Sequence, residues 1–238
     1  VTRGRRFAGV LEELRRPNVS SLDRLFRITQ RTLRSAGIAP HVDVNRCAIV
    51  ELTAPPKVTR GFSDLVVRRA EERDVTALCA VNETPPELAR TRLARGDLAY
   101  IGQVENEVLC HTWFHPGPTP FDEERRIFAV WEVPASTFWS FHAVALPEYR
   151  SSGLVAKLFQ LAIRELFEVH RARKVRGFIH HTNEPSLAMH ARLGFEIIGT
   201  VTAIASPTHK WLRWECAGVS RQWLLRRGSD FILSFPPA

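Results

Sequence analysis

Residues 137–146 (Thr-Phe-Trp-Ser-Phe-His-Ala-Val-Ala-Leu) run into Pro147-Glu148-Tyr149-Arg150-Ser151-Ser152-Gly153 and then into a helix-forming stretch lasting to about His170. This junction constrains the fold more than any other segment. The alternating faces Phe138/Ser140/His142/Val144 and Trp139/Phe141/Ala143/Ala145 are both largely apolar, the pattern of a central strand covered on each side. Pro147 ends its ladder. Leu154, Leu158, Leu161, Ile163, Leu166 and Phe167 give the following helix one apolar face. A buried strand that turns through glycine into a helix start presents unpaired amides and the positive end of a dipole, which together suit an anion. Arg150 and Lys157 add charge to that place.

The flanking pattern predicts an α+β fold: a central mixed sheet with helices on both faces. Strands are expected at Leu65–Arg69, Leu98–Val104, Glu107–Phe114, Ile127–Val133, Val175–His180, Phe195–Ala205 and Trp211–Glu215. Glu105-Asn106 turns a hairpin between two of them. Helices are expected over Glu71–Val81, Pro85–Arg95 and Glu184–Leu193, the last two ended by Gly96 and Gly194. Before these, Phe7/Val10/Leu11/Leu14 and Leu22/Leu25/Phe26/Leu33 repeat at helical spacing, and Cys47–Leu52 reads as a strand followed by Pro55-Pro56. The expected organisation is therefore an extension over 1–63, a main domain over 64–215, and a tail over 216–238 that packs back through Trp223, Phe231, Ile232 and Phe235.

The 238 residues are 45% hydrophobic and 24% charged, a globular balance with no apolar run near the ~18 residues of a membrane span. The Arg-rich start has no apolar segment of the kind that marks a secretory signal, and a cytoplasmic location is expected. Cys47, Cys79, Cys110 and Cys216 are scattered and form no Cys-x-x-Cys pair, so reduced thiols are expected rather than a zinc or redox motif. No spacing of His, Cys and carboxylates demands a metal. The formal charge of +8 favours polyanionic partners, a phosphorylated coenzyme among them. Nucleic acid is disfavoured, because basic residues and aromatics do not interleave. Arg24, Arg27, Arg31 and Arg34 form a stripe that could touch a membrane surface; a solvated helix face is the plainer reading.

Arg150-x-x-Gly153 at the start of that helix resembles motif A of the GNAT acyltransferase superfamily, Gln/Arg-x-x-Gly-x-Gly/Ala; Val155 departs from it. A second stretch, Asn183-Glu184-Pro185-Ser186 and then His190-Ala191-Arg192-Leu193-Gly194-Phe195, resembles the family's Asn…Tyr/His…Leu-Gly-Phe signature. The resemblance covers about 64–215. It implies an acetyl-CoA-dependent N-acetyltransferase in which acetyl-CoA and a small amine bind together and the amine attacks the thioester. It further implies that the amides of Arg150, Ser151, Ser152, Gly153, Leu154 and Val155 hold the coenzyme A pyrophosphate. Val144 and Leu146 would pair with the pantetheine arm, beside Asn183 and Ser186, and His190 would protonate the departing thiolate.

His142 is the candidate base, since an imidazole among apolar neighbours stays neutral; a hydrogen-bonded core histidine is the competing reading. Two other functions stay open: an acyltransferase using a longer acyl-CoA or an acyl carrier protein, and a non-catalytic module binding coenzyme A or a polyanion. The acceptor and the oligomeric state are not set by any motif.

Overall fold

The structure, a computed structural model, describes residues 43–57, 64–82, 84–121, 129–150, 152–205, 209–226 and 231–234. The two helices expected before residue 35 and the acidic run Asp122-Glu123-Glu124 lie outside the described residues.

In chain order the elements are β1 (Asp43–Leu52), β2 (Val66–Arg69), a 3-10 turn (Glu72–Asp74), α1 (Val75–Ala80), α2 (Pro86–Arg95), β3 (Leu98–Val104), β4 (Glu107–Pro116), β5 (Pro120–Phe121) and β6 (Ala129–Glu132). They continue with β7 (Thr137–Ala145), a 3-10 turn (Pro147–Tyr149), α3 (Leu154–Glu168), β8 (Lys174–His180), α4 (Glu184–Arg192), β9 (Glu196–Ala205), β10 (His209–Cys216), β11 (Val219–Arg226) and β12 (Phe231–Ser234). Nine strands form one sheet in the order β11-β10-β9-β1-β8-β7-β4-β3-β2, and β12-β6-β5 form a small second one. Within the large sheet β7 and β8 are parallel. Every other neighbouring pair in it is antiparallel. The fold is thus the mixed α+β arrangement that the pattern of strands and helices predicts.

The sheet buries both faces. On one, α3 lays Leu154, Leu158, Ala162, Ile163 and Leu166 over Ala48, Tyr100, Phe114, Phe138 and Val175. On the other, Val75 and Leu78 of α1 and Ala89 of α2 join Ile49, Trp113, Trp139 and Phe141. A helix with a single apolar stripe covers one sheet face, so two sets of helices are needed to cover both.

The sequence expectation differs from the structure at β1. This strand lies between β8 and β9, paired antiparallel with each. Ala48 and Ile49 have no exposed surface. The boundary expected near Asp64 therefore falls inside one continuous sheet. Consecutive strands often pair, but β8 and β9 are held apart by a partner more than a hundred residues away. The region expected as a tail likewise contributes the edge strand β11 and the β12 strand, which pairs parallel with β6.

Two irregularities open the middle of the sheet. β7 and β8 pair only from Thr137/Lys174 to Ser140/Gly177. Beyond that point β7 carries a bulge: His111 faces Val144 and Trp113 faces Phe141, so His142 and Ala143 together oppose Thr112. His142 sits at φ +54, a left-handed conformation uncommon for a residue with a side chain. The extra residue flips the alternation. Trp139 and Phe141 belong to the α1/α2 core, yet Ala145 belongs to the α3 core. The strict two-face assignment of 138–145 made from the sequence thus holds only up to Phe141.

Candidate active site

The opening between β7 and β8 is where two parallel strands end side by side, and the carboxyl ends of such strands are the usual place for a ligand in a sheet of this kind. After β7, Pro147–Tyr149 makes one 3-10 turn. The Ser152 hydroxyl donates to the Tyr149 carbonyl at 2.7 Å and takes the Leu154 amide at 3.3 Å. Gly153 then caps α3 at φ +91, a conformation glycine adopts without strain. The first intrahelical bond brings the Lys157 amide to the Gly153 carbonyl. Among the described residues, the amides of Gly153, Val155 and Ala156 meet no protein acceptor, as helix geometry requires of a first turn. Arg150 is exposed beside them. Val155 leans its side chain against the α3 core. The branched residue that departs from the motif therefore turns at least part of its bulk away from these amides. Ser151 lies outside the described residues.

The main chain at two expected site positions, Val144 and Leu146, turns toward β4. The Leu146 amide donates to the Leu109 carbonyl of β4 at 2.9 Å. Main-chain groups alternate from side to side along a strand, so Leu146 and Val144 both point toward β4. Ala145, between them, turns its N–H and C=O to the open side, where β8 has left the ladder. An arm lying in the gap would meet Ala145, not Val144 or Leu146.

Across the gap, β8 ends at His180. The His180 Nδ1 accepts the Thr182 amide at 3.2 Å and lies 2.6 Å from its hydroxyl. Asn183 follows as the N-cap of α4, its Oδ1 accepting the Ser186 amide at 3.2 Å. One turn on, His190 donates its Nδ1 proton to the Ser186 carbonyl at 2.8 Å. Its ring lies edge-on to Phe159 and Phe195, with centroids 5.2 and 4.9 Å away. Burial pulls its pKa down, against the opposing pull of the Ser186 carbonyl. A neutral His190 whose one proton is already given to Ser186 is poorly equipped as a proton donor. Proton donation is the role that the motif implies for this position.

On the α1/α2 face the bulge aims His142 at a polar cluster. Arg92 Nη1 lies 3.3 Å from His142 Nδ1. The guanidinium carbon sits 5.2 Å over the Trp113 ring and 5.1 Å over Phe141, and Arg92 is buried. The Asn82 side-chain amide bridges two imidazoles: one end is 3.2 Å from His142 Nε2, the other 3.3 Å from His111 Nε2. The Thr84 hydroxyl lies 2.8 Å from the end that faces His111. The two imidazole centroids are 5.7 Å apart. His111 is fully buried, and its Nδ1 meets no partner among the described residues. Burial, then the charges of His142 and Arg92, push its pKa down to about 3. His142, by contrast, is exposed.

The sequence placed His142 and the turn before α3 at the site, but not Asn82, Thr84 or Arg92. Arg92 is one of three arginines from 90 to 95 and looks like the others. Gly177 was missed as well, although a glycine inside a strand is a signal of close backbone approach. His115, the other histidine of the hairpin strand, belongs elsewhere. It is buried with Nδ1 2.6 Å from Asp97, and it reaches Thr119. Among the described residues no three His, Cys, Asp or Glu side chains converge to hold a metal. No helix there is long and apolar enough to cross a membrane.

A model of the acetyltransferase (GNAT) family matches residues 81–195, which span α2 to α4 and both sides of the opening. The fold is similar to that of a GNAT-family protein from Novosphingobium aromaticivorans (TM-score 0.50, 17% identity, 71% of this chain and 69% of that one). It is similar also to a GCN5-related N-acetyltransferase from Kribbella flavida (TM-score 0.51, 13% identity, 74% of this chain and 63% of that one). A protein of unknown function from Staphylococcus epidermidis gives a TM-score of 0.50 at 10% identity, over 79% of this chain and 67% of that one. Identities this low speak to the fold alone. No curated protein sequence matches the chain.

Proposed function

We propose, from the premise that the chain belongs to the GNAT superfamily, that it moves an acetyl group from acetyl-CoA to the primary amine of a small molecule. The observation that carries this reading is the free first turn of α3. Gly153 stands at φ +91, and among the described residues the amides of Gly153, Val155 and Ala156 meet no protein acceptor, at the edge where β7 and β8 part. Amides of that kind, with the helix dipole behind them, suit the coenzyme's diphosphate.

In this reading the pantetheine arm lies in the gap and pairs with the Ala145 N–H and C=O. Asn183 and Ser186 flank it from the β8 side. The amine enters from the α1/α2 face, and its nitrogen attacks the thioester carbonyl carbon. A main-chain N–H on the open edge of β7 receives the developing oxyanion. The His142 imidazole takes the proton that the nitrogen sheds as the C–N bond forms, once the ring has turned from Arg92. The attacking nitrogen becomes strongly acidic at that stage, so a weak acceptor suffices. The C–S bond then breaks, and the thiolate collects a proton from solvent at the mouth. His190 serves as packing that holds the start of α4 in place.

Thermal shift with acetyl-CoA, coenzyme A and longer acyl-CoAs, followed by thiol release across a panel of amines, tests the proposal. Stabilisation by acetyl-CoA with amine-dependent thiol release supports it. Stabilisation only by long-chain donors moves the assignment to a longer acyl group. No stabilisation by any of them removes it.

A further inference from the structure

The large sheet has two edges, and they are built differently. β2 closes one of them with only four residues. A very short edge strand is a usual guard against pairing with another chain. β11 closes the other. It pairs with β10 over eight rungs without a bulge, and it contains no proline. Among the described residues no strand covers its outer side. It also lies outside residues 81–195, which the family model matches.

The turn before β11 sets the direction of its main-chain groups. Ala217 and Gly218, at φ +49 and +78, join Cys216 to Val219 in a two-residue type I′ turn. The pair that flanks such a turn exchanges hydrogen bonds, and bonded and open pairs then alternate along the ladder. Ser220, Gln222 and Leu224 stand opposite Glu215, Arg213 and Trp211 at open pairs. Their N–H and C=O groups therefore point outward, away from β10. Ser220, Arg221 and Gln222 are exposed, and Leu224 is 66% exposed.

An open edge of this kind takes a further strand, and β11 is complementary to itself. In a twofold antiparallel pair, directly opposed residues share a face, so the axis passes through a residue rather than between two. An axis at Gln222 overlaps the most of β11. Gln222 then meets Gln222 of the copy, and Ser220 meets Leu224, each pair exchanging both of its main-chain hydrogen bonds. Arg221 meets Trp223 at the pairs between, where Cα atoms come within about 4.5 Å. The Arg221 guanidinium already stands 5.9 Å from the Trp214 ring, and a second indole adds a cation–π contact. No like charges oppose each other in this register, whereas an axis at Arg221 would set two arginines face to face.

We propose that β11 is a dimer interface: two copies of this chain pair their β11 strands antiparallel about Gln222, which joins the two large sheets into one. This pairing does not rest on the acyl-transfer reading.

Sedimentation equilibrium of the full chain from about 1 to 100 μM tests it. The expected species is twice the 27.0 kDa chain. Gln222→Pro removes the amide at the axis and costs no bond to β10, because that amide points outward. It should raise the dimer dissociation constant at least about tenfold while the circular dichroism stays that of the wild type. Leu224→Lys keeps every amide but places a charge in the seam, and it should act in the same direction. In the wild type the Ser220, Gln222 and Leu224 amides should exchange slowly with solvent, and in Gln222→Pro the Ser220 and Leu224 amides should exchange fast. A wild-type monomer at the top of the concentration range overturns the proposal. So does a dimer that survives both substitutions, or a dimer in which those three amides exchange freely. Slow exchange of the three amides in a monomer gives the edge to another part of the same chain, and that too overturns it.

Discussion

The backbone of Gly177 passes so close to Ser140 that a Cβ built there would lie 3.0 Å from the Ser140 carbonyl oxygen and 3.6 Å from its Cβ. This pair is the last rung between β7 and β8, so it marks the vertex of the opening. The missing side chain lets the strands stay in register up to the point where they part. Gly177→Ala should push the vertex apart and destabilise the fold by about 1–3 kcal/mol, the usual cost of overpacking. Chemical denaturation measures the loss, and weaker acyl-CoA binding should accompany it. A variant as stable as wild type would show that the strands have slack there.

Gly153 makes a separate prediction. Its left-handed conformation costs an L-residue roughly 1–2 kcal/mol. A Cβ would also crowd whatever approaches the neighbouring amides. Gly153→Ala should therefore raise the acyl-CoA Kd by about tenfold or more, since each 1.4 kcal/mol is a factor of ten. Isothermal titration measures it. Arg150→Ala should give a milder effect that shrinks with added salt, because Arg150 is exposed.

His190 separates two roles by shape. Losing a general acid costs about 10²–10⁴-fold in rate. If His190 is packing between Phe159 and Phe195, His190→Phe keeps the ring contacts and should cost less than about tenfold, whereas His190→Ala should lower stability as well. Steady-state kinetics with a melting curve on both variants decide it. A loss near a thousandfold in His190→Phe with an unchanged melting curve would restore the acid role.

Acid should weaken the fold by way of His111 and His190. Both have pKa values drawn down by burial, His111 to about 3. Between about pH 6.5, the ordinary value of a histidine, and pH 3, the unfolded chain binds protons that the folded His111 refuses. Stability then rises with pH in that window and falls on acidification, by up to about 1.4 kcal/mol per pH unit for each such histidine. Asp74, held low by the Arg68 guanidinium, works in the same direction at more acidic pH. Denaturation midpoints from pH 8 to pH 4 should slope accordingly, and His111→Gln should flatten the slope.

Much of this architecture was legible in the sequence where the signal is local. The β7 pattern and the α3 stripe each lie within one element of at most 15 residues, and Pro147 and Gly153 punctuate them. β3 was placed to the residue, since Gly96 and Glu105-Asn106 bracket it. The interior position of β1 was not legible, because it depends on pairing across more than a hundred residues. The bulge at His142 left no trace either. It is made by a histidine in a conformation where glycine is the usual signal, and it decides that His142 meets Arg92 while Ala145 faces the gap. Asn82 was hidden for a similar reason: a polar residue in a connection reads as solvated until its neighbours from three other elements are known.

The interior strand gives its own test. A chain begun at Asp64, the boundary that composition suggests, lacks β1 and leaves β8 and β9 without their common partner. It should fail to unfold cooperatively, as judged by calorimetry. Cooperative unfolding at the full-length temperature would mean that β1 is dispensable.

The measurement that tests the central claim most directly is a titration of coenzyme A into 15N-labelled protein, read residue by residue. The account expects saturable shifts at Gly153, Val155, Ala156 and Ala145, with Gly153→Ala suppressing them. Saturable binding that leaves those four amides unmoved, or the absence of any binding, would contradict it.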